Sequence, residues 1–482
     1  MLFNSYEFIF LFLPITFFIY FYLLNKRLVL GAKIFLVLAS LFFYSYWNVK
    51  YLPLILLSIF VNYSVGLSLV NHHKIRLNPN ILLVFGVVFN VALLAYFKYT
   101  DFFLENFNGF FGLNIPLPHI ILPLGISFFT FTQIAFLVDA YKNEAKEYSL
   151  VNYMLFVTYF PHLLAGPILH HKEMMPQFSS KLNWVKNYKN IALGVFIFSI
   201  GLFKKVVIAD TFGVWANAGF DSANILNFAE AWAASLSYTF QLYFDFSGYT
   251  DMAIGISLMF NIKLPINFNS PYKALNIQDF WRRWHMTLSR FLRDYIYIPL
   301  GGNRGGVAST YRNLLLTFLI GGLWHGAGWT FIFWGFLHGI ALVMHRVWQN
   351  LGFKMHKILA WFITFNFINF TWIFFRAKEW EDAIKVLKGM LGMNGIILPS
   401  SLVGKLEFLS VFGVEFGAWL TNIRGNVITV VALLSGLIII SFRNSNEIKF
   451  RSSIMYLLFS SILFAYSLLS FSKISEFLYF NF

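Results

Sequence analysis

The sequence predicts an all-α polytopic membrane protein, and three observations carry that prediction. Of its 482 residues, 58% are hydrophobic and only 12% are charged, against about 25% charged in soluble domains. The chain holds 61 phenylalanines, more apolar surface than a soluble fold of this length can hide. Several apolar runs also reach the roughly 20 residues needed to cross a bilayer. Together they give about ten to thirteen membrane segments. No internal repeat, low-complexity tract or soluble domain interrupts them, so residues 1–482 read as one membrane domain.

Clear spanning candidates lie at 6–24, 29–47, 52–70, 81–97, 190–208, 229–244, 327–345, 358–375, 427–443 and 454–472. Weaker or broken apolar segments lie at 118–140, 150–170, 246–262, 311–324 and 406–420. The first run lacks a preceding basic region and a small-residue cleavage site, and Lys26 and Arg27 follow it. It therefore reads as a retained helix rather than a signal peptide. Lys26 and Arg27, then Lys74 and Arg76, then Lys142 and Lys146 mark alternate loops as cytoplasmic. Segments 101–118 and 209–228 carry no lysine or arginine and read as external.

Two stretches depart from this count. TYFPHLLAGPILHH (158–171) has Pro161, Gly166 and Pro167 inside apolar sequence, with basic loops on both sides. A segment that enters and returns on the cytoplasmic side reconciles these facts. YFDFSGYTDMAIG (243–255) places Asp245 and Asp251 around Gly248 in sequence of membrane depth. Irregular backbone at that depth survives only when buried in protein or lining a wet cavity. Both stretches point to a recessed, cytoplasm-facing cavity.

The net charge of +15 fits basic cytoplasmic loops beside anionic lipid better than a nucleic-acid partner. The chain has no cysteine, which excludes disulfides, thiolate metal sites and a cysteine acyl-enzyme.

Charge concentrates in 280–338. On a helical wheel of about 100° per residue, Phe280, Trp284, His285 and Leu288 share one arc, and Arg282, Arg283, Arg290 and Arg293 share the other. The stretch reads as an amphipathic helix at the cytoplasmic surface. Its arginines either form a solvated basic face or grip the phosphates of a cytoplasmic substrate. His285 lies at the edge of the apolar arc and points into the protein.

His325 follows Trp324 between two apolar runs, with Gly321, Gly322, Gly326 and Gly328 around it. Ionisable groups at membrane depth mark function by default, and imidazole suits proton abstraction near neutral pH. The blander alternative is a packed histidine bonded to a carbonyl. His325 and His338, on one helix, would stand about 20 Å apart, so no metal site is expected. The pair His170-His171 reads as a solvated loop, and no G-x-S-x-G elbow supports a serine hydrolase.

FWRRWHMTLSRFLRDYIYIPLGGNRGG, followed by LLLTFLIGGLWHGAGWTFIFWGFLHG, resembles the membrane-bound O-acyltransferase family. More narrowly, it looks like the bacterial branch of alginate and peptidoglycan O-acetylation proteins. LFNSYEFIFLFLPITFFIYF, ILPLGISFFTFTQIAFLVDAY and YFDFSGYTDMAIGISLMFNIKLPINFNSPY fit as well. The likeness covers most of 1–350 and weakens beyond 380, with core motifs at 120–345 and peripheral helices at 1–100 and 358–482.

The resemblance implies a cytoplasm-facing funnel leading to His325 as the catalytic histidine. His285 stands at a second signature position, where many eukaryotic members carry asparagine, and could polarise the acyl carbonyl or stabilise the developing oxyanion. Arg282, Arg283, Arg293, Trp324, His338 and Asp245 are the expected substrate-binding residues. Acetyl-CoA is implied as donor substrate, with no permanently bound cofactor. A separate extracytoplasmic SGNH-type transferase would be the partner, and a polysaccharide the acceptor, at the bacterial cytoplasmic (inner) membrane. Richness in Lys, Asn, Ile and Phe suggests an AT-rich genome and leans the acceptor toward peptidoglycan. The rival readings are a transporter or flippase for a lipid-linked glycan, and a membrane scaffold whose histidines only pack.

Overall fold

The computed structural model describes residues 1–471, 477 and 478. The end of the predicted 454–472 span and the remaining C-terminal positions lie outside the described residues. The chain opens with helices α1 (Leu13–Asn25), α2 (Val29–Ser45), α3 (Leu52–Val70), α4 (Pro79–Phe111) and α5 (Ile126–Tyr141). Pro14, Pro53 and Pro79 sit in first turns, where their missing N–H costs nothing. Among the described residues, seven helices are long and apolar enough to span a membrane, and three shorter apolar ones accompany them. The molecule is a multi-pass helical membrane protein.

Next come α6 (Leu150–Thr158), α7 (His171–Ser179), α8 (Tyr188–Phe203), α9 (Asp210–Asn217) and α10 (Phe228–Met259). Helix α10 is the centre of the fold and is buried along nearly its whole length. The break expected at Asp245 and Asp251 does not occur, because both carboxylates find lysines. After α8 a π-helical stretch, Lys204–Ala209, turns Lys204 and Lys205 toward α10. Lys204 Nζ lies 2.7 Å from Asp251 and Lys205 Nζ 2.7 Å from Asp245. Asp245 thus stands in a buried ion pair between helices, not on irregular backbone lining a cavity.

Glycines bring those helices together. A Cβ on Gly248 would meet the Gly201 carbonyl oxygen at 2.7 Å, and one on Gly255 the Gly194 carbonyl at 2.6 Å. Such small-residue contacts drive helix association where lipid removes the hydrophobic incentive. The predicted external segment 209–228 begins inside one helical run, Tyr188–Ser222, whose 35 residues exceed the roughly 20 that cross a bilayer.

The re-entrant segment forms as expected. After α6 the chain makes a single turn at Phe160–Leu163, runs back without regular structure, and starts α7 on the side it left. Four consecutive residues clasp it there. His170 bonds Asp139 at 3.1 Å, His171 bonds Glu147 at 3.1 Å, Lys172 pairs with Glu144, and Glu173 takes Arg290 in a two-pronged contact of 2.7 and 3.0 Å. The solvated-loop reading of His170-His171 is therefore wrong: both are buried, because carboxylates on the preceding loop and helix end meet them.

The chain continues through α11 (Ile277–Trp281), α12 (Met286–Leu292), α13 (Gly306–His325), α14 (Trp329–Asn350), α15 (Lys357–Arg376) and α16 (Trp380–Met390). It ends with α17 (Val427–Ser441) and α18 (Ile454–Leu469). The weak apolar segment 406–420 is not a span. It holds short turns and strand Val414–Gly417, which pairs in parallel with Ile396–Pro399.

Candidate active site

Helix α13 stops at His325 because Gly326 is fully extended, with φ −158° and ψ 152°. Gly326 to Gly328 form the bend and α14 returns alongside, so His325 and His338 belong to different helices. The two helices cross almost backbone to backbone: a Cβ on Gly335 would clash with the Phe318 carbonyl oxygen.

A helix end leaves carbonyls without partners, and here a neighbour supplies them. Lys98 on α4 donates to the carbonyls of Trp324 and of His325, the latter at 3.0 Å, and Tyr99 donates to that of Leu323 at 2.6 Å. A cation also suits the negative end of the helix dipole. The carbonyl side of the His325 turn is thereby bolted to α4.

His285 is held differently. The amphipathic helix predicted over 280–295 is interrupted, because His285 has φ 42° and ψ 55°, a left-handed conformation that costs about 1–3 kcal/mol. Asn267 holds it there. Its Oδ1 accepts from the backbone N–H and the hydroxyl of Thr287, at 3.2 and 3.0 Å, and lies 3.2 Å from His285 Nδ1. Because Asn267 Oδ1 is an acceptor, Nδ1 of His285 carries the proton. Nε2 is then a proton acceptor in the neutral ring.

The two histidines share an aromatic neighbour. The indole of Trp324 lies 4.8 Å from the His325 ring and 6.3 Å from His285, centroid to centroid. Trp334 packs on His325 at 5.1 Å. The indole N–H groups of Trp324 and Trp334 are both buried and have no hydrogen-bond partner among the described residues. Unpaired buried donors are rare enough to require a reason.

His338 is fully engaged. Trp281 donates to its Nδ1 at 3.1 Å, and its Nε2 faces Thr371 Oγ1 at 3.1 Å. The first bond makes Nδ1 the acceptor, so Nε2 donates to Thr371. His338 thereby fixes Trp281, whose ring meets Phe318 at 4.8 Å and Trp334 at 5.8 Å.

Trp281 and Phe318 form the inner wall of a cavity of about 690 Å³. Arg282, Arg290, Arg293 and Arg346 also line it. Arg290 and Arg293 are paired with Glu173 and Asp294, whereas Arg282 and Arg346 have no acidic partner among the described residues. Arg283 is not in the cavity wall; it pairs with Asp279 at 2.8 Å and donates to the Asn269 carbonyl. The structure thus gathers Trp324, His325 and His285, sets His338 behind Trp281, places Arg282 and Arg293 at the mouth, and leaves Arg283 and Asp245 elsewhere. The sequence reading missed Lys98, Asn267 and Trp281. Only Lys98 offered a signal, a lone cation at the end of an apolar run.

The helical hairpin α13–α14 buries His325 about two turns beyond Phe318, the inner wall of the arginine-lined cavity. The model of the membrane-bound O-acyltransferase family matches residues 8–378, and the chain belongs to that family. The chain is 58% identical over 442 residues to a peptidoglycan O-acetyltransferase of Helicobacter pylori, covering 85% of this chain and 83% of the relative. It is 41% identical over 400 residues to an alginate O-acetylase of Pseudomonas aeruginosa, covering 82% and 75%. A teichoic acid D-alanyltransferase of Bacillus subtilis is 29% identical over 322 residues, covering 61% and 79%. The protein is a membrane O-acyltransferase.

Proposed function

We propose that the protein takes acetyl from cytoplasmic acetyl-CoA and passes it across the membrane for O-acetylation of an extracytoplasmic polysaccharide, peptidoglycan before alginate. The observation that carries this reading is the position of His325. It ends α13, whose middle residues Leu314, Thr317 and Phe318 line the arginine cavity, about 10 Å along the helix from the histidine. Acetyl-CoA is a substrate here, with Arg282 and Arg346 as the free cations for its phosphates. The acetyl thioester then reaches inward past Trp281. The 58% identity to a peptidoglycan O-acetyltransferase supports the choice of acceptor.

In the chemical step His325 takes the proton of the acceptor hydroxyl, whose oxygen attacks the thioester carbonyl carbon. The C–S bond breaks, and the leaving thiolate recovers the proton from His325. The indole N–H groups of Trp324 and Trp334 stand ready for the oxyanion that forms in between. His285, with Nδ1–H committed to Asn267, orients the hydroxyl rather than polarising the carbonyl. A separate secreted transferase of the SGNH type receives the acetyl group outside the bacterial inner membrane.

Purified protein in nanodiscs, supplied with acetyl-CoA and a soluble acceptor or the partner, tests the reading. Wild type should turn over acetyl-CoA. His325→Ala should abolish turnover without altering the melting curve, and Trp324→Phe should lower kcat by about 10²–10³-fold. Equal turnover in wild type and His325→Ala overturns the mechanism. No turnover in any sample, partner included, moves the weight to a glycan transporter.

A further inference from the structure

A second cavity, of about 870 Å³, opens on the basic-loop face far from the histidines in sequence, between the end of α1 and residues 181–188. Arg27, Lys181 and Lys186 line it, together with Phe18, Tyr22 and Trp184. Lys26 sits over the Tyr22 ring beside it. Among the described residues none of these four cations has a carboxylate partner, whereas Lys172, Lys204, Lys205, Arg283 and Arg290 all do. No acidic residue lines the cavity.

The wall continues into the membrane. Ile15, Phe18 and Tyr22 are 48%, 61% and 60% exposed, and their spacing of three and four residues puts them on one face of α1. This apolar ridge runs from the cavity into the bilayer. Lys186 Nζ is held at its head, 5.3 Å from the centre of the Phe18 ring. Leu182 and Val185 on the same loop are 86% and 70% exposed, as suits a loop dipping into the headgroup layer.

We infer that this cavity is a binding site for an anionic phospholipid, with the phosphate held by Arg27, Lys181 and Lys186 and an acyl chain laid along the α1 ridge. Basic pockets beside membrane helices on the cytoplasmic side recognise headgroups in this way. A free phosphate would use the cations but leave the ridge bare, so the structure favours the lipid. The bound lipid also braces the catalytic region. Asn261 donates to the carbonyls of Asn183 and Val185, at 3.2 and 2.8 Å, and begins the segment that carries Asn267 to His285.

The test is native mass spectrometry of the full-length protein released from detergent after incubation with phosphatidylglycerol, with phosphatidylcholine, or with glycerol phosphate as the headgroup alone. Phosphatidylglycerol adducts should persist, phosphatidylcholine adducts should not, and glycerol phosphate should fail to displace the lipid. Charge removal at Arg27→Gln, Lys181→Gln and Lys186→Gln should weaken retention about fivefold each and about a hundredfold together. The triple change Lys354→Gln, Lys388→Gln and Lys405→Gln, at exposed lysines elsewhere, should leave it unchanged. Because all six positions are exposed, melting curves should match wild type. Equal retention of both lipids, equal retention by the cavity variant, or displacement by glycerol phosphate overturns the proposal.

Discussion

Lys98 is a charge at membrane depth that the chemistry never touches. Its ammonium serves two carbonyls at the end of α13. Its loss therefore leaves buried acceptors unsatisfied, at about 1–3 kcal/mol. Lys98→Met should destabilise the protein by that amount in denaturant titrations, and Lys98→Arg should restore most of it. His325 and the arginines were legible in sequence because charge is conspicuous among phenylalanines. Lys98 was not, since it stands where an apolar run ends and resembles a helix terminus. The kink at His285 was not legible either. A left-handed residue is expected to be glycine or asparagine, and here Asn267, 18 positions upstream, holds a histidine there.

Two contacts between elements carry predictions. The first is the glycine seam of α8 and α10. Gly201→Leu or Gly248→Leu would drive a side chain into backbone, and overpacking of this kind costs about 1–3 kcal/mol or more. A lowered melting temperature in detergent checks it. The second is the clasp at 170–173. Burial raises the Glu147 carboxyl, but hydrogen bonds from His171, the Ser149 N–H and Asn152 outweigh it and hold the group below its ordinary 4.5. A depressed folded-state value means that the contribution is present above 4.5 and is lost as pH falls through the lower folded value. Melting curves of wild type and Glu147→Gln should therefore differ at neutral pH and converge in acid. Apolar runs made most helices legible. They hid the continuity of α10, because two aspartates and a glycine in an apolar run look like a break until the lysines that face them are known.

At the scale of the molecule, Trp281, Phe318 and Trp334 stand between the arginine-lined cavity and His325. Broad architecture was readable from composition alone, since a chain with so little charge has one solvent in which it can fold. The depth of His325 was not, because it depends on which helix ends there. One consequence concerns the cell's energy supply. On the proposed reading, a protein that opens toward the cytoplasm is a potential leak for the proton gradient, and the edge-to-face packing of Trp281 on Phe318 and Trp334 makes it a closed bulkhead. Trp281→Ala should breach it: vesicles holding that variant should lose an imposed pH difference faster than wild-type vesicles, and equal rates would show that the barrier lies elsewhere. On the proposed reading, the tryptophan that acetyl passes is also what keeps a resting enzyme from draining the membrane that houses it.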